Sequence, residues 1–269
     1  MFKNYKMIFL PHQIPKKIFY KIIFLYKRLK YQKKKYENDQ NKIFKKFKLN
    51  RSLGLEKLSK IKNLYKFLIR DMSSEHEVFF SSLSLNCKNN IKKILEIGTF
   101  DGKNSYLLSL LFKNSKIDTI DLEKSDINFK NSYNRKKKIS SFVNLRDKIL
   151  LNSKNINFKE LNSLKLCNIN NKYDLIWIDG AHGYPIVCID IINSLRLINR
   201  DGIIICDDIY INKVKSDQMY NSSASFETLM ELKKEKIINF ELIYKRLDKN
   251  YNCDINTRKF IAIIKKYVN

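Results

Sequence analysis

Two apolar runs in the C-terminal half of the chain end in residues that could do chemistry. The run in "YDLIWIDGAHGYP" ends at Asp179, and His182 follows between two glycines; the run in "IIICDDIY" ends at Asp207 and Asp208. A histidine at the mouth of a cleft can serve as a general base, because its pKa lies near neutrality. We expect His182 to be that base, with Asp179 as its substitute, although a lone histidine can also be purely structural.

The three aspartates would repel one another strongly if they lay close together without a shared cation. Oxygen ligands favour Mg²⁺, Ca²⁺ or Mn²⁺, and a divalent ion could hold two hydroxyl groups of a substrate and acidify one of them. We therefore expect Asp179, Asp207 and Asp208 to hold Mg²⁺ or Mn²⁺. The alternative is that one aspartate of the adjacent pair caps the next segment while the other meets solvent.

A second chemical feature is the turn in "KKILEIGTFDGKNS". Gly98 and Gly102, two of the six glycines in the chain, let a strand-to-helix turn bend sharply and admit a ligand close to the backbone. A carboxylate at Glu96 would repel a pyrophosphate but could accept a hydrogen bond from an ammonium group. The pattern therefore favours S-adenosylmethionine over NAD, with Glu96, Gly98, Thr99 and Gly102 as binding residues; a tight turn without a ligand is the alternative.

Two further polar positions end apolar runs between these stretches. Asp121 in "TIDLE" is placed to accept hydrogen bonds from both ribose hydroxyls of a nucleoside, with Glu123 as the alternative acid. It lies 23 residues after Gly98, close to the expected spacing of about 20. Asn162 or Ser163 in "FKELNS" could meet the adenine edge, although an asparagine in a turn is an equally good explanation.

The elements that must position these residues begin near residue 91. Short apolar runs such as "KKILEIGTF", "SKIDTIDLE" and "GIIICDDIYI" alternate with helix-like segments such as "SYLLSLLFK" and "PIVCIDIINSLRLIN". This alternation is typical of a parallel sheet covered on both faces, and right-handed crossovers then give a doubly wound, mostly parallel α/β sheet of seven strands. The last two strands, "INFELIYKRL" and "KFIAIIKKY", are joined by a loop too short for a crossover helix, so we expect them to be antiparallel.

The basic charge of the chain is concentrated at its N-terminus. Of the 53 lysines and arginines in 269 residues, 21 lie in residues 1–70, beside 3 acidic residues. We expect residues 1–74 to form a basic helical N-terminal extension and residues 75–269 to form the main domain, because the strand and helix alternation is confined to the second part.

One segment of this extension has the pattern of an amphipathic helix. Within residues 14–36, apolar side chains recur at Ile18, Ile22, Leu25 and Leu29, and lysines and arginines lie between them. In one interpretation the apolar stripe packs on the domain and the lysines lie in water. In the other, the helix lies on an anionic membrane or on nucleic acid.

The cysteines and the N-terminus bear on the compartment. Five cysteines are scattered along the chain without a CxxC pair, which argues against a disulfide framework or a zinc site and fits a reducing compartment. We find no apolar stretch of the roughly 18 residues that a membrane span needs and no secretory cleavage pattern. We expect a cytoplasmic protein, with peripheral contact between the basic segment and the inner membrane face as an open alternative, and we leave the oligomeric state open.

Together these stretches resemble a class I S-adenosylmethionine-dependent methyltransferase with a Rossmann-like sheet. The resemblance covers about residues 75–269, and "IDGAHGY" with a later "DD" is especially similar to the methyltransferase 24 family. That family includes or neighbours metal-dependent sugar O-methyltransferases of the macrolide type and, more distantly, catechol-type enzymes. The resemblance implies these roles: a cofactor turn at Glu96, Gly98 and Gly102, a ribose-binding acid at Asp121, metal ligands at Asp179, Asp207 and Asp208, and a base at His182.

The expected reaction is transfer of the sulfonium methyl group to a hydroxyl oxygen, with orientation of the nucleophile supplying much of the rate. By family resemblance, the acceptor is a sugar, a glycan or another small hydroxylated molecule. A rival hypothesis is an RNA methyltransferase that binds nucleic acid through the basic N-terminal segment. "IDGAHGYP" differs from the NPPY-like tetrad of enzymes that methylate base amino groups. An NAD oxidoreductase and a scaffold without turnover are two further hypotheses.

Overall fold

The chain folds around one sheet with helices on both faces. The structure, a computed structural model, describes residues 14–70, 74–86, 90–132, 138–212, 222–255 and 257–267. The helices are α1 (Ile14–Leu29), α2 (Lys33–Lys46), α3 (Arg51–Leu64), α4 (Glu75–Asn86), α5 (Lys103–Leu111), α6 (Ile127–Asn131), α7 (Ile139–Leu151), α8 (Ile186–Leu197), α9 (Ala224–Lys234) and α10 (Lys249–Asn252). The strands are β1 (Lys93–Ile97), β2 (Lys116–Asp121), β3 (Ile156–Glu160), β4 (Tyr173–Ile178), β5 (Ile198–Ile209), β6 (Ile238–Tyr244) and β7 (Phe260–Lys266). Within the described ranges, no helix is long and apolar enough to cross a membrane.

The strand order is β3-β2-β1-β4-β5-β7-β6. The first five strands in this order pair in parallel, whereas β7 is antiparallel to both β5 and β6. The predicted mostly parallel sheet of seven strands with a C-terminal antiparallel pair is confirmed. Because β7 alone is reversed, β6 runs in the same direction as the other strands. The residue after β6 and the residue before β7 therefore reach the sheet edge where β1, β2, β4 and β5 end.

Both faces of the sheet are buried, which explains why its strands read as continuous apolar runs. On one face, Trp177 of β4 packs in a cluster with Phe79 of α4 and Leu107 of α5. On the other face, Ile178 lies in a cluster with Ile191 of α8 and Leu229 of α9. Successive side chains of β4 thus enter different cores, as the two-residue period of a strand requires.

The N-terminal region shares the first of these cores from α2 onward. Phe44 of α2 is fully buried, and its ring lies 5.4 Å from the ring of Phe79, edge to face. Arg51 at the start of α3 donates to Glu75 at the start of α4, with Nη2 and Oε1 2.7 Å apart. The predicted domain boundary after residue 74 therefore lies between helices that pack together and share a buried ion pair.

Candidate functional site

A cleft of about 940 Å³ runs along the carboxyl edge of the sheet. Its walls combine the ends of β1, β2, β4 and β5 with the connection between β6 and β7. The following predicted site residues line it: Gly98, Asp121, Asn162, Asp179, His182, Asp207 and Asp208. The other three, Glu96, Thr99 and Gly102, lie behind its surface.

Gly98 brings the end of β1 against the end of β4. Its φ of +100° is a conformation that favours glycine, and a Cβ built there would lie 2.3 Å from the carbonyl oxygen of Asp179. The Asp179 amide in turn donates to the carbonyl of Ile97 at 2.9 Å. Glycine is therefore required here for the approach of two strand ends, in addition to the open turn that the sequence predicts.

The position of the Glu96 side chain differs from the one that the sequence predicts. The sequence predicts that its carboxylate meets the ammonium group of a ligand, but the side chain is fully buried. It accepts hydrogen bonds from Asn104 at 2.7 Å, from Thr119 at 2.7 Å and from Ser105. Burial raises the pKa of Glu96, against these three hydrogen bonds, which favour its charged form. Glu96 therefore joins β1, β2 and α5 behind the turn, and its carboxylate is already satisfied by the protein.

Thr99 and Gly102 have similar supporting positions. The Thr99 hydroxyl is buried, and its Oγ1 lies 2.6 Å from Oγ1 of Thr119. Gly102 caps α5 with a φ of +75°, and a Cβ there would lie 3.0 Å from the side chain of Leu150 on α7. These two residues shape the turn from behind, so their predicted contact with a cofactor would be indirect.

Asp121 at the end of β2 faces the cleft. Its Oδ2 accepts a hydrogen bond from the Phe100 amide at 2.9 Å, and its Oδ1 accepts one from the Leu122 amide at 2.8 Å. These two bonds fix the carboxylate between the turn after β1 and the segment after β2. A carboxylate oxygen can accept more than one hydrogen bond, so the bonds to these two amides do not prevent a ligand hydroxyl from donating to it.

An apolar and aromatic wall lies beside Asp121. Phe100, Leu122, Phe129 and Leu161 line this part of the cleft. Asn162 is also in the wall, and its Oδ1 accepts from the Leu164 amide at 3.0 Å, capping the short 3₁₀ helix that follows β3. An apolar wall next to a fixed carboxylate suits a flat, hydrogen-bonding ligand such as a nucleoside.

Two lysines neutralise the aspartate pair near the end of β5. Lys245 Nζ lies 2.5 Å from Asp207 Oδ2 and also donates to Asp208 Oδ1, while Lys259 Nζ lies 2.8 Å from Asp208 Oδ2. Burial opposes the charges of Asp208 and Lys245, but the attraction of the opposite charges outweighs it. The lysines hold the pKa of Asp208 well below its usual range, and the aspartates raise the pKa of Lys245.

Two of the three predicted metal ligands, Asp207 and Asp208, therefore already pair with a lysine of the chain itself. Among the described residues, no group of three or more His, Cys, Asp or Glu side chains is arranged to hold a metal ion. An ion between Asp207 and Asp208 would need the position of the Lys245 ammonium group. As placed, these residues do not fit Mg²⁺ or Mn²⁺, because the lysine already supplies the neutralising charge.

His182 and Asp179 lie beside this cluster. His182 is 5% exposed, and its Nε2 lies 3.6 Å from Asp179 Oδ1 and 3.8 Å from Asp208 Oδ2. Burial lowers the pKa of His182, outweighing the opposite effect of Asp208 and Asp207. Burial and then Asp207 raise the pKa of Asp179, whose exposed part faces the cleft. The imidazole is therefore neutral near pH 7 and able to accept a proton.

Three residues at this end of the cleft were not predicted as site residues. Helix α4 places His76, which the sequence locates outside the strand region, in the cleft wall with its ring 4.6 Å from Trp177. Burial lowers the pKa of His76 to about 4. Lys245 and Lys259 are two of 53 lysines and arginines, so their residue type alone gives no signal of a site. Their position does, because they flank the connection between β6 and β7 at the edge where the other strands end.

A buried acid behind the cleft gives a pH-dependent prediction. Asp190 of α8 is fully buried, neither of its carboxylate oxygens has a hydrogen-bond partner among the described residues, and burial raises its pKa to about 6. Folding therefore favours its protonated form, and stability from this group is lost as pH rises through the folded-state pKa. We expect Asp190→Asn to raise the free energy of unfolding by about 3 kcal/mol at roughly pH 8, with little change near pH 4.

Chemical denaturation of both proteins at the two pH values measures this difference. Asp201→Asn, at an exposed acid on β5, is the matched control and should leave stability nearly unchanged. A stability gain that is the same at both pH values would show that Asp190 does not carry this strained charge.

Comparison with known proteins gives one family match. Residues 95–209 match the model of the methyltransferase 24 family, described as a methyltransferase domain. None of the curated proteins compared with the chain matches it. The matched range contains the turn after β1, Asp121, Asp179, His182 and the aspartate pair, so it covers most of the cleft residues described above.

Several solved structures share the fold. Cofactor-bound Rv0187 from MTB is 15% identical with a TM-score of 0.51, over 80% of this chain and 90% of that one. The O-methyltransferase TomG from Streptomyces achromogenes, involved in tomaymycin synthesis and solved with SAM, is 13% identical with a TM-score of 0.50, over 86% and 98%. The O-methyltransferase from Bacillus cereus, solved with SAH, is 14% identical with a TM-score of 0.50, over 87% and 100%.

At these identities the likeness establishes the fold, and the family match covers the segment that builds the cleft. The chain therefore has the class I methyltransferase fold, and residues 95–209 are similar to the methyltransferase 24 family.

Proposed function

We propose that the protein transfers the methyl group of S-adenosylmethionine to a hydroxyl oxygen of a small acceptor. The observation that supports this is one cleft that joins the fixed Asp121 carboxylate to a buried, neutral His182. A sugar or glycan hydroxyl is the acceptor class that the family likeness favours. The O-methyltransferases solved with SAM or SAH support direction towards oxygen by their fold.

The nucleoside of the methyl donor fits the end of the cleft at Asp121. That carboxylate would accept hydrogen bonds from ribose hydroxyls, and Phe129 and Leu161 would cover the base. The left-handed backbone of Gly98 leaves the turn open beside it. Bound S-adenosylmethionine would supply an activated methyl group on a positively charged sulfur.

His182 in this proposal accepts the proton of the acceptor hydroxyl at Nε2. The residue is buried and neutral, so it needs no prior deprotonation near pH 7. Asp208, 3.8 Å away and held ionised by the lysines, would stabilise the imidazolium after proton transfer, and Asp179 lies 3.6 Å from the same nitrogen.

Lys245 in this proposal takes the place of the divalent cation. It keeps Asp207 and Asp208 ordered and keeps Asp208 ionised, so that the negative charge near His182 is fixed before substrate arrives. The proposed enzyme therefore works without an added metal.

Cofactor binding tests the proposal through Asp121. We expect Asp121→Ala to weaken S-adenosylhomocysteine binding about tenfold or more, because hydrogen bonds to a charged group are lost. Isothermal titration calorimetry measures the affinity. Glu123→Ala, at the exposed acid two residues along, is the matched control and should bind as the wild type does.

Two outcomes would count against the proposal. Binding of NAD by a wild-type protein that ignores S-adenosylhomocysteine would assign the cleft to a dehydrogenase. Unchanged affinity in Asp121→Ala, with the wild type binding normally, would remove Asp121 from the ribose site.

A further inference from the structure

Helix α1 carries an apolar stripe that faces away from the rest of the described chain. Ile18, Ile22, Leu25 and Leu29 recur at helical spacing and are 52%, 59%, 53% and 85% exposed. The interpretation in which this stripe packs on the domain is therefore not the arrangement found. Burying such side chains is favourable, so a continuous exposed stripe of four favours a partner.

The end of α1 and the residues just after it contact the rest of the described chain. Lys27 Nζ lies 2.8 Å from Asp254 Oδ1. Just after the helix, the Tyr31 hydroxyl donates to the Leu247 carbonyl at 2.9 Å and accepts from Asn252 Nδ2 at 3.1 Å. All three contacts reach the connection between β6 and β7. The direction of the stripe is therefore set by the fold.

The stripe is bordered by positive charge. Residues 16–35 contain nine lysines and arginines and no acidic residue. At helical spacing, Lys21 and Arg28 flank one side of the stripe, and Tyr26 and Lys30 flank the other. Tyr26 is 55% exposed, and Lys30 Nζ lies 4.5 Å from its ring centre. Apolar, aromatic and basic side chains are thus arranged in adjoining bands.

We propose that α1 binds the surface of an anionic lipid bilayer. The stripe enters the boundary between headgroups and acyl chains, and the flanking lysines and arginines contact anionic headgroups. A nucleic acid would use the charge but leave the four apolar side chains in water. A second copy of this chain would bring two strongly basic segments together. A bilayer with negative headgroups satisfies both the apolar stripe and the charge.

The contact with the β6–β7 connection places this surface near the cleft. Lys245 and Lys259, at the two ends of that connection, line the cleft, and Leu247 and Asp254 between them hold α1 and its continuation. Bilayer binding would therefore bring the cleft close to the membrane surface. The binding itself does not depend on methyl transfer.

Vesicle flotation of the full chain tests the proposal. We expect the wild type to float with vesicles of phosphatidylcholine and phosphatidylglycerol and to stay unbound with phosphatidylcholine alone. Leu25→Asp combined with Leu29→Asp should lower the partition coefficient about tenfold or more. Leu151→Asp, at a leucine of α7 that is 84% exposed, is the matched control and should bind as the wild type does. Thermal unfolding checks that the variants remain folded.

The double variant Lys21→Gln/Arg28→Gln should also weaken binding, and the difference from the wild type should shrink as ionic strength rises, because salt screens the lost attraction. Three results would overturn the proposal. The first is equal flotation of the Leu25→Asp/Leu29→Asp variant and the wild type. The second is binding to single-stranded RNA but not to anionic vesicles. The third is a dimer in sedimentation velocity, without vesicle binding, that becomes a monomer in the Leu25→Asp/Leu29→Asp variant.

Discussion

Lys245→Met should lower the free energy of unfolding by about 3–5 kcal/mol. Lys245 is 8% exposed, and its ammonium group is shared by Asp207 and Asp208. Methionine keeps an unbranched stem of similar length but leaves a buried pair of carboxylates with less compensating charge. Chemical denaturation of the wild type and the variant near neutral pH measures the difference.

A surface ion pair provides the control. Lys46 is 58% exposed and lies 2.6 Å from Glu241, and Lys46→Met should cost less than about 1 kcal/mol. Asp207→Asn added to Lys245→Met should recover part of the lost stability, because one buried charge is then removed. If Lys245→Met were as stable as Lys46→Met, the buried ion pair would contribute no more to stability than the surface pair does.

The Lys245→Met variant also tests whether the lysine takes the place of a metal ion. Mn²⁺ should stabilise Lys245→Met against thermal unfolding, because the freed carboxylates can then share a divalent ion, and it should leave the wild type unchanged. A chelator should leave wild-type turnover intact. Loss of wild-type activity on chelation, with recovery on adding Mg²⁺, would mean that Lys245 does not replace the cation.

His182→Ala should reduce turnover by about 10²–10⁴-fold while affinity for S-adenosylhomocysteine stays unchanged. The reason is that the imidazole, and not a cofactor contact, is lost. A panel of sugars, vicinal diols and RNA first identifies the acceptor, and release of S-adenosylhomocysteine then measures turnover. Full activity in the variant would eliminate His182 as the base.

The pH profile distinguishes a base from a structural histidine. Burial lowers the pKa of His182 below its usual value of 6.5, so wild-type turnover should rise with pH below that value and then level off. His182→Ala should lose this rise, because no imidazole is left to deprotonate. His76→Gln, at the second buried histidine of the cleft, should keep it. If His76→Gln removes the rise instead, the base is His76.

The sheet could be predicted because its strands are buried on both faces and read as unbroken apolar runs. Asp121, Asp179 and Asp207 could be located for a related reason, since the first polar residue after such a run lies at the sheet edge. Helix α7, in "ISSFVNLRDKILL", is not among the predicted elements, although the parallel pairing of β2 and β3 requires a crossover there. Its serines and charged residues interrupt the apolar pattern.

The direction of a side chain was harder to predict than its position. Glu96 lies on the strand before the cofactor turn, as expected, but its carboxylate is directed towards Asn104 and Thr119 behind the turn. One strand position separates a residue that faces the cleft from one that faces the core. The lysine cluster was missed for another reason: Lys245 and Asp207 are 38 residues apart, and they meet because β6 runs in the same direction as β5 and ends at the same sheet edge.

The close contact at Gly98 also limits how this molecule can move. The backbone of Gly98 is set against the carbonyl of Asp179, and the amide of Asp179 donates to the carbonyl of Ile97, so the ends of β1 and β4 are held together. Any opening or closing of the cleft would therefore involve other parts of its wall, such as Ile69 and Arg70. In the proposed reaction, exchange of ligands would then depend on those parts of the wall, while the two strand ends keep their spacing.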